Sequence, residues 1–258
     1  MTALLNYQRN GNGPTIILIH GLFGAMDNLN VLAKSLIENF DVIQVDVRNH
    51  GDSFHHVSMD YADLANDVLT LLDHLQIAKC HLFGHSMGGK IAMQCALTAP
   101  NRCKSLIVAD IAPVDYPPHH NDIIRGLKAI NPEQISKRNE ADKILAEFEP
   151  NLGVRQFLLK NLVKSERGYK WRASIDNIAA SYYQIGKTVK QDGQYLGPVL
   201  FIKGENSDYI LNEYRDAIGK LFPKAKARVI ADTGHWLHAE KPQEFNRIVQ
   251  QFIETNND

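Results

Sequence analysis

A serine about one third of the way along the chain has the surroundings of a nucleophile. Ser86 is the centre of the pentapeptide GHSMG at 84–88, which follows an apolar run (80–83) and precedes a helical pattern (90–97). On a sharp turn between a strand and a helix, a serine is forced into strained backbone geometry, and the flanking glycines remove the side chains that would collide there. We therefore expect the Ser86 hydroxyl to stand exposed at the end of a sheet.

Two further motifs could supply the base and the oxyanion donors that a serine nucleophile requires. His235 lies in a Gly-His-Trp sequence near the end of the chain, where it could fold back over the sheet and accept the proton of Ser86. The sequence HGLFG at 20–24 follows the first apolar run. We expect the backbone N–H groups of Leu22 and Met87 to form an oxyanion hole there.

Short apolar runs separated by helical patterns must position these residues. Six runs are rich in β-branched residues, and the chain between them is long enough to hold helices, which predicts an α/β fold with a mostly parallel sheet flanked by helices. The runs lie at 15–19, 41–45, 80–83, 105–109, 199–202 and 227–230. Asp60 is the expected N-cap of a helix with one apolar face, and Pro242 suits the first turn of the C-terminal helix.

The alternation of strands and helices is interrupted between Ile111 and Leu196, where helical patterns occur without a convincing strand, at 122–130, 132–148, 154–163 and 171–185. Because a structureless loop of this length is uncommon in a compact domain, we interpret the segment as a helical cap, or lid, inserted between two core strands. The sequence thus predicts a core of residues 1–113 and 194–258 and a helical cap of residues 114–193.

Aromatic side chains in the cap and beside the motifs could line a substrate pocket. Helical spacing equally allows the cap residues to form the cap's own core. The candidates are Phe23, Trp236, Phe157, Trp171 and Tyr182.

Composition and charge argue against several classes of function. Lys and Arg number 28 and Asp and Glu number 29, so the net charge of −1 offers no basic surface for nucleic acid and no polybasic membrane anchor. The N-terminus lacks the pattern of a secretion signal, and no apolar stretch is long enough to span a bilayer, so we expect a cytoplasmic protein without stable membrane association. The three cysteines lack metal-ligand spacing and are expected to be reduced, buried thiols.

The order of these motifs resembles that of the α/β-hydrolase superfamily, over essentially the whole chain from 15 to 253. The sequence at 20–24 resembles the oxyanion turn, and DVRNHGDS at 46–53 resembles the loop after the next core strand. The turn around Ser86 and the late His235 complete the order. The resemblance implies an α/β-hydrolase fold with a triad of serine, acid and histidine.

Three longer runs resemble the bacterial YbfF-type esterases, and they lie at 48–51, 110–116 and 234–242. This resemblance implies a small cytosolic enzyme that hydrolyses acyl esters and acyl-CoA thioesters. Four cap cations could contact the phosphates of CoA, although such charges usually form a solvated surface. They are Arg125, Lys128, Lys137 and Arg138.

The acid that orients His235 has two candidates. In the commonest pattern of the superfamily the acid lies three residues after the glycine that ends the penultimate strand, but here that position is Ser207. Asp110 ends the strand beside the nucleophile strand, a position that some members use, while Asp208 lies one residue past the usual place. We favour Asp110, because a one-residue offset redirects a side chain, and we expect Ser207 to bridge Asp110 and His235. An aspartate at 110 could alternatively stabilise a turn.

The expected reaction is acyl transfer to water through an acyl-enzyme on Ser86, with a small-molecule acyl ester or thioester as the substrate. No metal or organic cofactor is expected, since the sequence has neither a phosphate-binding glycine loop nor a dinucleotide fingerprint. The same triad could instead serve a C–C bond hydrolase, a lyase or a cofactor-free haloperoxidase. A catalytically inactive binding module is the remaining alternative, and a Ser86 that fails to react with an organophosphonate would indicate it.

Overall fold

A seven-stranded sheet forms the centre of the computed structural model, which describes residues 3–166, 168–190 and 192–257. The strands of the described residues are β1 (Tyr7–Asn10), β2 (Thr15–Ile19), β3 (Asp41–Val45), β4 (Cys80–His85), β5 (Cys103–Ala109), β6 (Leu162–Ser165), β7 (Gly168–Trp171), β8 (Val199–Gly204) and β9 (Ala225–Ile230). The sheet has the order β1-β3-β2-β4-β5-β8-β9, and only β1 runs antiparallel to its neighbour. The mostly parallel sheet predicted from the sequence is confirmed.

Helices pack on the sheet and fill much of the segment between β5 and β8. They are α1 (Asn30–Leu36), α2 (Tyr61–His74), α3 (Met87–Thr98), α4 (Asn121–Ala129), α5 (Arg138–Leu145), α6 (Leu152–Leu158), α7 (Ile175–Gly186), α8 (Arg215–Leu221), α9 (Leu237–Glu240) and α10 (Pro242–Thr255). As predicted, Asp60 caps α2 by accepting a hydrogen bond from the Asp63 N–H, and Pro242 begins α10. Among the described residues, no helix is both long and apolar enough to cross a membrane.

The central strands are buried on both faces, which explains their continuous apolar sequences. Alternate residues of β2 pack into two hydrophobic cores on opposite sides of the sheet. The parallel register pairs Ile19 with Gly84 and His85 with Ala109, so the carboxyl ends of three neighbouring strands lie along one edge. Residues that follow these strands, including Ser86, therefore emerge side by side at this edge.

The three cysteines are free, buried thiols in the core, as predicted. Burial raises the pKa of Cys103 to about 12, and it also raises the pKa values of Cys80 and Cys95. Thiols with raised pKa values stay protonated near neutral pH and are poor nucleophiles. The cysteines therefore contribute to packing rather than to chemistry.

Two features of the fold differ from the sequence-based expectation. The edge strand β1 has only one apolar side chain, so no apolar run marks it. The hairpin of β6 and β7 lies in the segment described above as purely helical, and the helical pattern predicted at 154–163 is wrong at its end, where β6 begins. Strands of four residues depend on pairing with a neighbour more than on a recognisable pattern of their own.

Both ends of the segment between β5 and β8 are tied to the core by one buried lysine. Lys90, in α3, donates hydrogen bonds from Nζ to the carbonyl oxygens of Val114 (2.8 Å), Gly186 (3.3 Å) and Lys187. Its Nζ also lies 4.7 Å from the centre of the Tyr116 ring, a distance suited to a cation–π interaction. Lys90 therefore fastens the inserted segment to α3 at both of its ends.

Replacing Lys90 by methionine is expected to destabilise the protein by roughly 1–3 kcal/mol, because buried carbonyl oxygens would lose their donor while the hydrocarbon stem is kept. Urea unfolding followed by circular dichroism measures this change. Lys34→Met, at an exposed position of α1, is the matched control. Equal free energies of unfolding in the two variants would contradict the proposed contribution of Lys90.

The stability that depends on Lys90 should also vary with pH. Burial lowers the pKa of Lys90 from 10.5 to about 7, and nearby Asp115 opposes this shift. Between these two values the unfolded chain binds the additional proton, so the Lys90 contribution to the free energy of unfolding rises with pH in that interval. Urea titrations at about pH 6.5, 8 and 9.5 should show the wild type gaining stability relative to Lys90→Met. A constant difference between the two proteins would argue against a lowered pKa.

Candidate active site

The turn that carries Ser86 has the strained geometry expected from the sequence. Ser86 lies between β4 and α3 with φ 55° and ψ −122°, a conformation that residues other than glycine rarely adopt. A Cβ atom on Gly84 would lie 2.0 Å from the Gly88 oxygen, and one on Gly88 would lie 2.3 Å from the Ile19 oxygen. The close approach of the backbone around the turn therefore requires both glycines.

The structure brings His235 and Asp110 together with Ser86. His235 Nε2 lies 3.0 Å from Ser86 Oγ, and His235 Nδ1 lies 2.8 Å from Asp110 Oδ2. Because an ionised carboxylate only accepts hydrogen bonds, Nδ1–H is the donor to Asp110, and the Nε2 lone pair faces the serine hydroxyl. This tautomer is the one that accepts a proton from serine. Tyr209 stacks on the imidazole with ring centres 4.0 Å apart, which limits rotation of the ring.

The Asp110 carboxylate is completely buried, with 0% of the residue exposed. Its Oδ1 accepts a hydrogen bond from the Gly204 N–H at 3.1 Å, and its Oδ2 accepts one from the Ser207 hydroxyl as well as that from His235. The backbone of Asp110 is strained, with φ 54°. A buried charge requires such donors, since without them the charged form would be strongly disfavoured.

The hydrogen bonds around Asp110 differ from the expectation at Ser207. Ser207 donates to Asp110 but makes no described hydrogen bond to His235, so it does not bridge the two residues. The hydroxyl and the imidazole instead donate to the same carboxylate oxygen. Asp208 is exposed and has no described contact with His235, because a shift of one residue along the loop turns its side chain away from the site.

The backbone N–H groups of Leu22 and Met87 have no hydrogen-bond acceptor among the described residues. The Met87 N–H belongs to the first turn of α3, where N–H groups lack an intrahelical acceptor and the helix dipole favours negative charge. Leu22 lines the same two cavities as Ser86, which are described below. Two unpaired donors beside Ser86 suit the stabilisation of an oxyanion.

A pair of buried histidines holds the loop that contains Leu22. His50 Nε2 accepts a hydrogen bond from the Phe23 N–H at 3.0 Å, and His20 Nε2 accepts one from the Val47 N–H at 3.0 Å. Burial lowers the pKa of His50 to about 3 and also lowers that of His20, so both rings are neutral near neutral pH. Both residues lie in motifs visible in the sequence, but only the tertiary structure shows that they support this loop.

His85, next to the nucleophile, holds the loop of His235. Its Nε2–H donates to the His235 carbonyl oxygen at 2.8 Å, and the two ring centres are 4.8 Å apart. Burial lowers the pKa of His85 well below its usual value, so the ring keeps a single proton for this bond. His85 therefore links the turn of the serine to the loop of the imidazole.

Two cavities meet at Ser86, one of about 300 Å³ and one of about 50 Å³. In the large cavity, Phe157 and Trp236 pack edge to face with ring centres 4.4 Å apart. The predicted pocket residues that line the large cavity are Phe23, Phe157 and Trp236, and Tyr182 lines the small one.

Trp171 lines neither of these cavities, and its prediction as a pocket residue is wrong. It ends strand β7 and lies with Tyr169 at a separate surface depression. The sequence pattern from 171 to 185 resembles one helix, but α7 begins only at Ile175. The position of the indole therefore follows the geometry of the hairpin rather than that of α7.

The arrangement of Ser86, His235 and Asp110 defines a class of protein. A serine on a strand-to-helix turn, with histidine and acid at the carboxyl edge of a mostly parallel sheet, is the arrangement of the α/β hydrolases. Residues 14–147 match the sequence model of the family described as alpha/beta hydrolase fold. The chain belongs to this family.

The chain is similar over nearly its whole length to several named relatives. It is 40% identical to Esterase YbfF of Escherichia coli over 247 residues, which cover 95% of each chain. It is also 40% identical to sn-1-specific diacylglycerol lipase ABHD11 of Mus musculus, over 93% of this chain and 81% of the lipase. A solved structure described as a marine microorganism esterase is 36% identical, with a TM-score of 0.95 over 97% of this chain and 100% of that chain. The resemblance to YbfF-type esterases is confirmed.

Replacing Gly88 by alanine is expected to destabilise the protein by about 1–3 kcal/mol or more, because the new Cβ would collide with a backbone oxygen that no side-chain rotation relieves. Gly219→Ala is the matched control, since nothing lies within 4 Å of a Cβ added at that position of α8. The control should stabilise the helix by about 0.5–1 kcal/mol. Urea unfolding measures both changes, and a Gly88→Ala protein as stable as the wild type would refute the steric account.

Proposed function

We propose that this protein is a carboxylic ester hydrolase that forms an acyl-enzyme on Ser86. The observation that carries the proposal is the hydrogen-bonded chain from Ser86 Oγ through His235 to the buried Asp110. A hydroxyl that is hydrogen-bonded to an imidazole, itself oriented by a carboxylate, is activated for attack on a carbonyl carbon. The esterase and lipase names of the similar proteins support the same reaction.

In the proposed reaction, Ser86 Oγ attacks the carbonyl carbon of a small-molecule ester while His235 Nε2 takes the hydroxyl proton. The N–H groups of Leu22 and Met87 stabilise the negative charge on the former carbonyl oxygen. Asp110 stabilises the imidazolium through the Nδ1–H hydrogen bond. His235 then gives its proton to the departing alkoxide, and water hydrolyses the acyl-enzyme by the same steps.

Oxygen esters are the proposed substrates, and acyl-CoA thioesters are a second class to be tested. The four cap cations that could contact CoA phosphates line neither of the cavities at Ser86. Arg125 pairs with Asp122 and Lys128 pairs with Asp176, all of them exposed. Exposed ion pairs of this kind are typical of a solvated surface, so these cations do not favour CoA.

A fluorophosphonate is expected to label Ser86 in the folded protein, because such reagents react with an activated serine. Mass spectrometry of proteolytic fragments identifies the modified residue, and Ser86→Ala should remove the label.

The wild type should also hydrolyse p-nitrophenyl esters, and a CoA thioester of the same acyl length tests for thioesterase activity. Labelling without ester hydrolysis would favour a C–C bond hydrolase, a lyase or a haloperoxidase. Absence of both would favour an inactive binding module.

Replacing Asp110 by asparagine is expected to lower kcat roughly 10⁴-fold, because an amide oxygen held by the Gly204 N–H leaves the amide nitrogen facing Nδ1, where it cannot accept a hydrogen bond and favours the wrong tautomer of His235. Asp208→Asn is the matched control, and it should leave kcat nearly unchanged because Asp208 is exposed. Steady-state hydrolysis of a p-nitrophenyl ester measures both variants, and circular dichroism establishes that they are folded. The opposite ranking would transfer the role of the acid to Asp208.

A further inference from the structure

We infer that the two cavities at Ser86 divide the substrate, with the acyl group in the small cavity and the alcohol in the large one. The inference rests on the proposed ester hydrolysis, and it names the substrate class as short-chain acyl esters of bulky alcohols. The cavities differ in volume, at about 50 Å³ and about 300 Å³. An ester whose two parts match these volumes therefore fits in only one orientation.

The position of His235 assigns the large cavity to the alcohol. When the tetrahedral intermediate breaks down, the imidazolium donates its proton to the leaving oxygen, so this oxygen must lie beside Nε2. His235 is among the residues that line the large cavity, together with Trp236 and His238 of the same loop. It is not among the described residues that line the small one. The alcohol therefore extends from Ser86 into the large cavity.

The walls of the small cavity limit the length of the acyl chain. They include Met87 and Ile111 from the core and Tyr182 and Ile185 from the end of α7. Since one water-sized group requires about 10–15 Å³, a volume of about 50 Å³ holds about three to five such groups. Counted with the carbonyl oxygen, acyl groups of about two to four carbons have about three to five such groups and fit this space. A longer chain would have to displace the end of α7.

Three polar side chains of the small cavity, Lys90, Tyr61 and Tyr116, are already engaged by the protein. Lys90 Nζ lies within hydrogen-bond distance of three carbonyl oxygens, those of Val114, Gly186 and Lys187. The Tyr61 hydroxyl donates to the Ile185 carbonyl oxygen at 2.7 Å, and the Tyr116 hydroxyl donates to that of Tyr209. A charged group at the end of an acyl chain would find no free donor among them, and burying it would be unfavourable. These three side chains therefore favour an uncharged acyl group in the small cavity.

Two series of esters test this assignment with the wild-type protein. In the first, the acyl chain is lengthened from acetyl to octanoyl on p-nitrophenol, and in the second, butyryl is kept while the alcohol is enlarged from ethanol to 3-phenylpropanol. We expect kcat/KM to fall about tenfold or more between butyryl and octanoyl, because methylene groups that do not fit a pocket lose binding of that order. We expect kcat/KM to be retained or to increase with the larger alcohol. A preference for octanoyl esters and for ethanol would overturn the assignment.

A matched pair of variants enlarges each cavity separately. Ile185→Ala, in the wall of the small cavity, should raise the ratio of kcat/KM for octanoyl and butyryl esters about tenfold. Val154→Ala, in the wall of the large cavity, should leave this ratio unchanged. A ratio that responds to Val154→Ala and not to Ile185→Ala would overturn the assignment. Thermal unfolding establishes that the variants are folded, and if Ile185→Ala is not, the two ester series decide alone.

Failure of this inference and failure of the proposed function give different results. If long-chain acyl esters are hydrolysed best and Ser86→Ala abolishes the activity, the esterase function stands and the assignment of the cavities is wrong. If no ester of either series is hydrolysed and the fluorophosphonate does not label Ser86, the proposed function itself is wrong.

Discussion

The geometry of the site depends on a single carboxylate that has no contact with solvent. Asp110 is completely buried, so its charge must be compensated by hydrogen bonds from within the protein. The donors come from the end of β8 at Gly204, from the loop after β8 at Ser207 and from the loop after β9 at His235. This requirement brings three separate parts of the chain to one point, and it also sets the tautomer of the imidazole that faces Ser86.

Neutral histidines support this arrangement instead of adding further acids or bases. His20, His50 and His85 are buried, and burial lowers the pKa of each. A neutral ring keeps one donor and one acceptor. His20 and His50 use both on backbone groups of the loops around the site, and His85 uses its donor on the His235 carbonyl oxygen. The loops of Leu22 and His235 are thereby held in place, and among the described residues it is His235 Nε2 that is hydrogen-bonded to the serine hydroxyl.

Lys90 connects the position of the inserted segment to the space beside Ser86. Its Nζ donates hydrogen bonds to carbonyl oxygens near both ends of that segment, and the same residue lines the small cavity. Movement of α7 away from the core would therefore break these hydrogen bonds and enlarge the cavity at the same time. The inferred acyl specificity and the stability attributed to Lys90 depend on the same contacts.

The sequence by itself determined the features that depend on near neighbours along the chain. The central strands are recognisable because they are buried on both faces, and the turn at Ser86 is recognisable because its glycines lie two positions on either side. Only the tertiary structure decided that Asp110 meets His235, 125 positions away, that Ser207 donates to the acid without bridging to His235, and that Trp171 lies outside the cavities. These features depend on side-chain direction and on packing between distant segments, to which local patterns and spacing are insensitive.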